Sequence, residues 1–216
     1  MRIVEPSYTI LQMPDGEQIL AHLERAARTC YKSEDKITEG SARKLIARIL
    51  QVNHESVLEH ASVSVRIVCD RGISHEIVRH RLASFSQEST RYANYGKEKF
   101  GKEITVIRPF FWEEDSREYA LWLEAMEKAE EVYMALLEAG ARPQEARSVL
   151  PNSLKTEIVV TANLREWRHI FKLRCASAAH PQIRQIMLPM LASFHERIPV
   201  VFDDVYATFR KDMAQV

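Results

Sequence analysis

The 216-residue sequence has few of the residues that mark common dinucleotide-binding and secreted proteins. Glycine occurs six times, never as Gly-x-Gly and never in a Gly-Lys-Ser or Gly-Lys-Thr run, so neither a Rossmann site nor a P-loop is expected. The three cysteines, Cys30, Cys69 and Cys175, are odd in number and far apart, which argues against a disulfide framework and indicates a reducing compartment. Any phosphate must therefore be held in another way.

Excess charge of one sign and long apolar runs are missing as well. Lys and Arg (30) equal Asp and Glu (30), so there is no global basic field of the kind that coats nucleic acid or anionic membrane. No apolar run approaches the roughly 18 to 20 residues of a membrane span, and no secretory signal is recognised near residue 1. We expect a cytoplasmic protein that binds neither nucleic acid nor membrane.

Hydrophobic periodicity predicts a mainly helical α+β protein, a single domain over residues 1–216 around a small, mostly antiparallel sheet. Residues 61–69 alternate between apolar and polar, as in a half-buried strand with Cys69 in the core, and residues 1–13 and 157–161 predict two more strands. Ser74 is the predicted N-cap of a short helix through Arg81, and residues 84–99 are predicted to form a loop. Helices are expected over 17–31, 41–52, 116–139, 164–175, 181–196 and 202–211, with a further helix starting at Pro143.

The segment from Arg79 to Arg91 carries three arginines, one histidine and several hydroxyl or amide side chains. Arginine offers a planar fork of donors to phosphate, whereas Gln and Ser supply neutral groups that can recognise a base. Arg79-His80-Arg81 alone would indicate only a solvated charged turn, because short basic runs are common. The longer segment favours a site for a phosphate and a pyrimidine edge.

A second group of charged residues follows Asn163. Arg165, Arg168, His169 and Lys172 share one helical face and are expected to form a solvated basic stripe. Arg174 instead falls on the apolar stripe, where an unpaired charge is costly. Two interpretations remain open: a buried acidic partner, or an anionic ligand, for which Arg147 would be a second anchor unless it is simply exposed.

Metal ligation and cysteine catalysis are not predicted. The histidines at 54 and 60 are six residues apart and would not share a face of an α-helix, so no metal site is expected. No cysteine stands in a Pro-Cys-His-Gln context or beside an obvious base. A cysteine nucleophile is therefore not expected.

Taken together, four blocks of the sequence resemble the flavin-dependent thymidylate synthase family: residues 26–30, residues 54–60, residues 79–92 with Arg-His-Arg, seven residues and Ser89, and residues 147–151 continuing through Asn163-x-Arg165 to Arg174. The resemblance implies that family's fold and the reductive methylation of dUMP to dTMP. In that reaction 5,10-methylenetetrahydrofolate is the carbon donor, FAD the hydride carrier and NADPH the reductant. It also implies a homotetramer with active sites between subunits.

The resemblance assigns roles to individual residues of this chain. FAD binding falls to Cys30, His54, Ser56, Arg79, His80, Arg81, Gln87, Asn163, Arg165 and His169. Nucleotide binding falls to Glu76, Arg79, Gln87, Glu88, Ser89, Thr90, Arg91, Arg147 and Arg174. Arg174 is also the catalytic candidate, because a cation beside nitrogen 3 or the carbonyl oxygens of uracil favours an electron-rich ring. Ser89 is expected to bind ligand and not to act as a nucleophile.

Two alternatives stay open at this point. A related flavin-dependent methylase could act on UMP, if the pocket admits a 2′-hydroxyl. A non-catalytic nucleotide or RNA-binding module could use the same basic segment, with Phe85, Tyr92 and Tyr95 available to stack on bases. The net charge of zero weighs against the second alternative.

Overall fold

A computed structural model describes the backbone of residues 1–215 and the side chains of residues 1–213. The strands are β1 Arg2–Val4, β2 Ser7–Gln12, β3 Ser62–Asp70, β4 Ala83–Gln87, β5 Thr105–Ile107 and β6 Lys155–Asn163. The helices are α1 Gly16–Tyr31, α2 Ser41–Gln51, α3 Arg71–Ile77, α4 Arg117–Glu138, α5 Pro143–Ala146, α6 Leu164–Arg174, α7 Pro181–Arg197 and α8 Pro199–Phe209. A 3-10 helix spans Glu55–His60. Among the described helices, none is both long and apolar enough to cross a membrane.

The sheet is small beside the helices, which confirms the predicted mainly helical α+β class. Its four strands follow the order β2-β3-β6-β4, and β1 and β5 form a separate parallel pair in which Arg2 lies opposite Thr105. The predicted alternation in β3 is confirmed, because Val63, Val65, Ile67 and Cys69 are all buried. Such alternation is what a strand with one face on the core requires.

The described residues divide into two compact units. The first unit comprises Met1–Ser7, Ile67–Arg79 and Phe85–Val159. The second unit comprises Tyr8–Arg66, His80–Ser84 and the chain from Val160 onward. The assignment of residues 1–216 to a single domain stays a prediction.

The first unit is built on α4. Ser116 caps this helix by accepting the backbone N–H of Tyr119 at 3.1 Å, and the chain leaves it at Gly140, whose φ of 92° is the left-handed conformation that glycine adopts without strain. Both ends agree with the prediction. Trp122 packs into the core of this unit and donates its indole N–H to Ser153 at 3.0 Å, so its polar atom is satisfied.

The second unit is built on an aromatic cluster contributed by α6, α7 and α8. Trp167, Phe171, Phe194 and Phe202 are fully buried, with ring centroids 5.1 to 5.9 Å apart. Trp167 also donates its indole N–H to the carbonyl of Val63 at 3.1 Å, which ties α6 to β3. Helix α6 is thereby fixed in position and orientation. It carries Glu166, His169 and Arg174.

Two local predictions around the Arg-His-Arg triplet are wrong. Helix α3 is capped by Asp70, whose carboxylate accepts the N–H of Ile73 at 2.7 Å, and not by Ser74. Ser74 lies inside the helix and donates its hydroxyl to the carbonyl of Arg71 at 2.8 Å. The helix also ends at Ile77, before Arg79. The predicted loop over 84–99 is replaced at its start by β4, because sheet pairing overrides the polar composition of that stretch.

Candidate functional site

Arg174 and the histidine of the Arg-His-Arg triplet meet in the second unit. Arg174, half-buried at the end of α6, donates its Nε–H to Nε2 of His80 at 3.0 Å. His80 is only 4% exposed, whereas Arg79 and Arg81 on either side of it are exposed. The triplet is therefore not a uniform solvated turn: its arginines face solvent and its histidine is part of a buried contact.

Behind His80 lies a carboxylate that the sequence reasoning did not single out. Glu166 is buried in the first turn of α6, and its Oε1 is 3.5 Å from Nδ1 of His80, an electrostatic contact slightly longer than a hydrogen bond. Because Nε2 of His80 accepts from Arg174, a neutral imidazole carries its proton on Nδ1, facing Glu166. The only sequence signal for Glu166 is a charged residue between the core positions Leu164 and Trp167.

The protonation states of this group follow from burial. Burial, then the Arg174 guanidinium and then His169 lower the pKa of His80 from 6.5 to about 4, so His80 is neutral at pH 7. Burial raises the pKa of Glu166, and nearby His169 opposes that shift. The neutral imidazole of His80 thus lies between the carboxyl group of Glu166 and the guanidinium cation of Arg174.

A cavity of about 400 Å³, which we call the α6 cavity, opens beside these residues in the second unit. Three of the predicted flavin-binding residues line it: Asn163, Arg165 and His169. Asn163 also caps α6 by accepting the N–H of Glu166 at 2.8 Å, and Arg165 forms an ion pair with Glu59 at 2.6 Å. The remaining lining residues are Glu55, Glu59, Leu82, Glu166 and Lys172.

Three other predicted flavin-binding residues of this unit, Cys30, His54 and Ser56, lie elsewhere on its surface. His54 lines a different cavity, of about 530 Å³, together with Arg28, Lys36 and Arg48. Cys30 is exposed in the last turn of α1, and Ser56 is exposed in the 3-10 helix Glu55–His60. The second unit of one chain therefore does not gather all of these residues around a single cavity.

One group of side chains could supply metal ligands. Atoms of His80, Glu166 and His169 lie within 4.8 Å of one another. The permanent charge of Arg174 beside His80 opposes a second cation at this position. The expectation of no metal stays a prediction.

The first unit contains most of the residues predicted to bind the nucleotide. Gln87 donates its amide to Ser74 at 2.8 Å and to Thr156 at 3.2 Å. Glu88 accepts instead from Lys155 at 3.2 Å and from the hydroxyl of Tyr95 at 3.1 Å. Gln87 is the last residue of β4 and Glu88 follows it, and the two side chains thus contact different partners.

The turn after β4 is held by a polar contact within it and by one with Arg147. Ser89 accepts the N–H of Arg91 at 3.3 Å through its hydroxyl, and buried Thr90 accepts from the guanidinium of Arg147 at 3.3 Å. Arg91 and Arg147 are themselves exposed. Arg91 in the turn and Arg147 in contact with it therefore expose their guanidinium groups, whereas Ser89 is half-buried. Glu76 is half-buried near the end of α3.

The predicted basic stripe on α6 is wrong at one position. Arg165, His169 and Lys172 are exposed as expected, but Arg168 is only 2% exposed. Its guanidinium donates to Asp204 at 2.6 and 2.7 Å, to Glu55 at 3.0 Å and to the carbonyl of Val201. Arg168 can be buried because residues outside α6 supply negative charge and hydrogen-bond acceptors to its guanidinium.

Comparison with known proteins places these observations in a family. The family described as "Thymidylate synthase complementing protein" matches residues 10–200. A flavin-dependent thymidylate synthase of Corynebacterium aurimucosum is 37% identical over 211 residues, covering 89% of this chain and 82% of the relative. One of Geobacter sulfurreducens is 35% identical over 198 residues, covering 88% and 82%.

Among solved structures, the UMP/dUMP methylase PolB from Streptomyces cacaoi bound with 5-Br dUMP has a TM-score of 0.78 and 24% identity, covering 97% of this chain and 98% of that one. At this identity the likeness speaks for the fold, and it confirms the predicted fold. Residues 10–200 and the two relatives span most of the chain. This chain belongs to the flavin-dependent thymidylate synthase family.

Proposed function

We propose that the protein converts dUMP to dTMP by reductive methylation, with 5,10-methylenetetrahydrofolate as carbon donor, FAD as hydride carrier and NADPH as reductant. The C5 hydrogen of uracil is lost as a proton, and a methyl group built from the folate methylene and one hydride replaces it. The observation that carries the proposal is the 3.0 Å contact between Arg174 and His80. Through this contact the guanidinium of Arg174 is held in place, and a held cation is what activation of the uracil ring requires.

Arg174 has the central chemical role in this proposal. Carbon 5 of uracil is a weak nucleophile, and a cation beside nitrogen 3 or a carbonyl oxygen stabilises negative charge as it develops on the ring. Arg174 is suited to this because it is half-buried and its Nε–H is already oriented by His80. A guanidinium held in place before the substrate binds needs little reorganisation during the reaction.

The reaction is proposed to use no cysteine nucleophile. Burial raises the pKa of Cys69, and burial raises the pKa of Cys175 to about 12, so both thiols stay protonated at pH 7. Cys30 is exposed in the last turn of α1 and does not line the α6 cavity. These environments leave activation of the ring to Arg174.

The chemistry of the α6 cavity fits part of a flavin dinucleotide. Its volume of about 400 Å³ is at the lower end for small-molecule sites, and Asn163, Arg165 and His169 offer donors to phosphate or to a polar ring edge. We assign these three residues to FAD, together with Cys30, His54, Ser56, Arg79, His80, Arg81 and Gln87. When bound, FAD supplies the hydride chemistry that no side chain can provide.

The nucleotide is assigned to the turn after β4 and its neighbours. Arg91 and Arg147 present exposed guanidinium groups suited to a phosphate, and the Ser89 hydroxyl is available beside them. The whole set is Glu76, Arg79, Gln87, Glu88, Ser89, Thr90, Arg91, Arg147 and Arg174. Within this set, the contacts of Glu88 with Lys155 and Tyr95 make its side chain the weakest candidate.

We further propose a homotetramer whose active sites draw on several subunits. Support comes from the scattered positions of the flavin candidates in the second unit, where His54 and Asn163 line different cavities. Exposed apolar side chains flank the Arg-His-Arg segment as well, among them Leu82. Apolar groups of this kind are common where subunits meet.

The test is an assay of tritium release from ring-labelled dUMP by purified, flavin-loaded protein. Release that depends on NADPH and methylenetetrahydrofolate is expected, and the preparation should be yellow with nearly stoichiometric flavin. Labelled UMP in a parallel reaction separates the alternative substrate. A colourless protein that does not bind added FAD would contradict the proposal.

A further inference from the structure

We propose that Glu166 is a positioning residue that acts through His80 to orient Arg174. The inference rests on the proposed function, because it assigns a task to a residue behind the proposed catalytic cation. It depends on three groups in the second unit, Glu166, His80 and Arg174, which we call the Arg174 triad. Carboxylate, imidazole and guanidinium follow one another with separations of 3.5 and 3.0 Å.

The imidazole can orient Arg174 in only one of its neutral tautomers. Nε2 of His80 must be unprotonated to accept the Nε–H of Arg174, so the proton must be on Nδ1. In the other tautomer, an N–H on Nε2 would face the N–H of Arg174, and the contact would be lost. A neutral imidazole in water exchanges between the two forms, so something must select the first.

Glu166 is the group that selects it. Its Oε1 faces Nδ1 at 3.5 Å, and both side chains are at least nine-tenths buried, so solvent screens the interaction little. A carboxylate accepts and cannot donate, and it therefore favours a proton on Nδ1. The backbone of Glu166 is itself fixed, because Asn163 accepts its N–H at 2.8 Å. A carboxylate behind a catalytic imidazole selects the tautomer in the same way in serine proteases.

His80 is also kept neutral, as the mechanism requires. Burial and the adjacent Arg174 lower the pKa of His80 to about 4, so at pH 7 the imidazole keeps its Nε2 lone pair. His169, with its ring centroid 5.8 Å from that of His80, acts in the same direction. The acceptor for Arg174 is thus present throughout the neutral range.

The first variant that tests the proposal is Glu166→Gln. Glutamine has the same shape but can present either an oxygen or an NH₂ group to Nδ1, so the tautomer is no longer imposed. We expect kcat for tritium release from dUMP to fall at least about tenfold, with KM for dUMP and flavin content changing less than about twofold. Wild-type kcat in this variant would overturn the proposal.

The substitution Glu166→Gln is then tested in a second protein, the variant His80→Gln. Its amide oxygen can accept from Arg174 near the position of Nε2, whatever group lies behind it. If Glu166 acts through the tautomer of His80, adding Glu166→Gln to His80→Gln should change kcat less than about twofold. An equal loss in both backgrounds would show that Glu166 acts by another route and would also overturn the proposal.

A matched control is available in the same unit. His195 and Asp203 form another histidine and carboxylate pair, with Nε2 and Oδ1 2.8 Å apart, and neither residue lines the α6 cavity. Asp203→Asn should leave kcat within about twofold of wild type. This control separates an effect of the Arg174 triad from a general effect of removing a carboxylate beside a histidine.

A measurement that does not depend on turnover keeps the two proposals distinguishable. Imidazole ¹⁵N NMR on the flavin-loaded protein at pH 7, with the His80 signals identified by their loss in His80→Gln, should show Nε2 unprotonated in wild type. A mixture of tautomers is expected in Glu166→Gln. A proton on Nε2 in wild type would overturn the inference, whereas wild-type protein with no tritium release would overturn only the proposed function.

Discussion

Arg174 donates its Nε–H to Nε2 of His80 at 3.0 Å, across 94 positions of sequence. The two residues come from separate segments, the last turn of α6 and the segment before β4. In the sequence, Arg174 indicates a charge that needs a partner, whereas His80 lies in a segment that indicates a charged turn. Their contact gives the arginine a fixed direction.

The first prediction concerns the geometry of Arg174. Arg174→Lys keeps the charge but loses the Nε–H and the planar fork, so kcat for tritium release should fall about 100-fold while flavin content is retained. Arg184→Lys is the control, because Arg184 bonds to the Cys175 carbonyl at 3.1 Å and does not line the α6 cavity. Wild-type kcat for Arg174→Lys would mean that charge alone suffices.

A second prediction concerns the dependence of stability on pH. The pKa of His80 is about 4 in the folded chain and 6.5 as its ordinary value, so as pH falls between these values the unfolded chain takes up a proton that the folded chain does not. The contribution of His80 to stability is therefore full above about pH 6.5 and is lost as the pH approaches about 4, a loss on the order of 3 kcal/mol.

Urea unfolding of wild type and His80→Gln across this range measures that contribution. Because the other groups near His80, namely Glu166, His169 and Arg174, are present in both proteins, the difference between the two stability curves isolates the histidine. Wild type should lose more stability than His80→Gln as the pH falls. Parallel curves would contradict the burial of a neutral His80.

The third prediction concerns Arg168. Arg168→Ala removes the cation from a buried network and leaves Glu55 without its partner, so the free energy of unfolding should fall by about 3 to 5 kcal/mol. Arg43→Ala is the comparison, since the exposed pair of Arg43 with Glu17 should contribute less than about 1 kcal/mol. Similar losses for both variants, measured by urea unfolding, would argue against the buried network.

The fourth prediction separates neighbours in the nucleotide set. Ser89→Ala should weaken dUMP binding roughly tenfold, because a hydroxyl beside the exposed arginines is lost. Glu88→Gln should change binding less than about twofold, since its carboxylate faces Lys155 and Tyr95. Isothermal titration with dUMP measures both. Intact binding with complete loss of turnover in Ser89→Ala would instead indicate a catalytic hydroxyl.

Local patterns in the sequence were sufficient to predict most of the fold. The ends of α4 follow from Ser116 and Gly140, and β3 follows from alternation, because both signals are contained in neighbouring residues. The cap of α3 was misassigned because Asp70 and Ser74 are both capping residue types. The chain leaves β3 at Asp70, which places the helix start there.

The candidate site was predictable only in part. The spacing in α6 indicated that Arg174 needs a partner, but the partner, His80, is set by tertiary contacts. Arg168 and Glu166 were missed for the same reason. The partners of Arg168 are Asp204 and Glu55, and that of Glu166 is His80. The periodicity of α6 carries no information about residues in other segments.

The central claim is that this chain forms dTMP with Arg174 as its activating cation. The most direct measurement is tritium release from ring-labelled dUMP by flavin-loaded wild type and Arg174→Lys, with NADPH and methylenetetrahydrofolate present. Release by wild type that falls about 100-fold in the variant is predicted. No release by flavin-loaded wild type, or equal release by both proteins, would contradict the account.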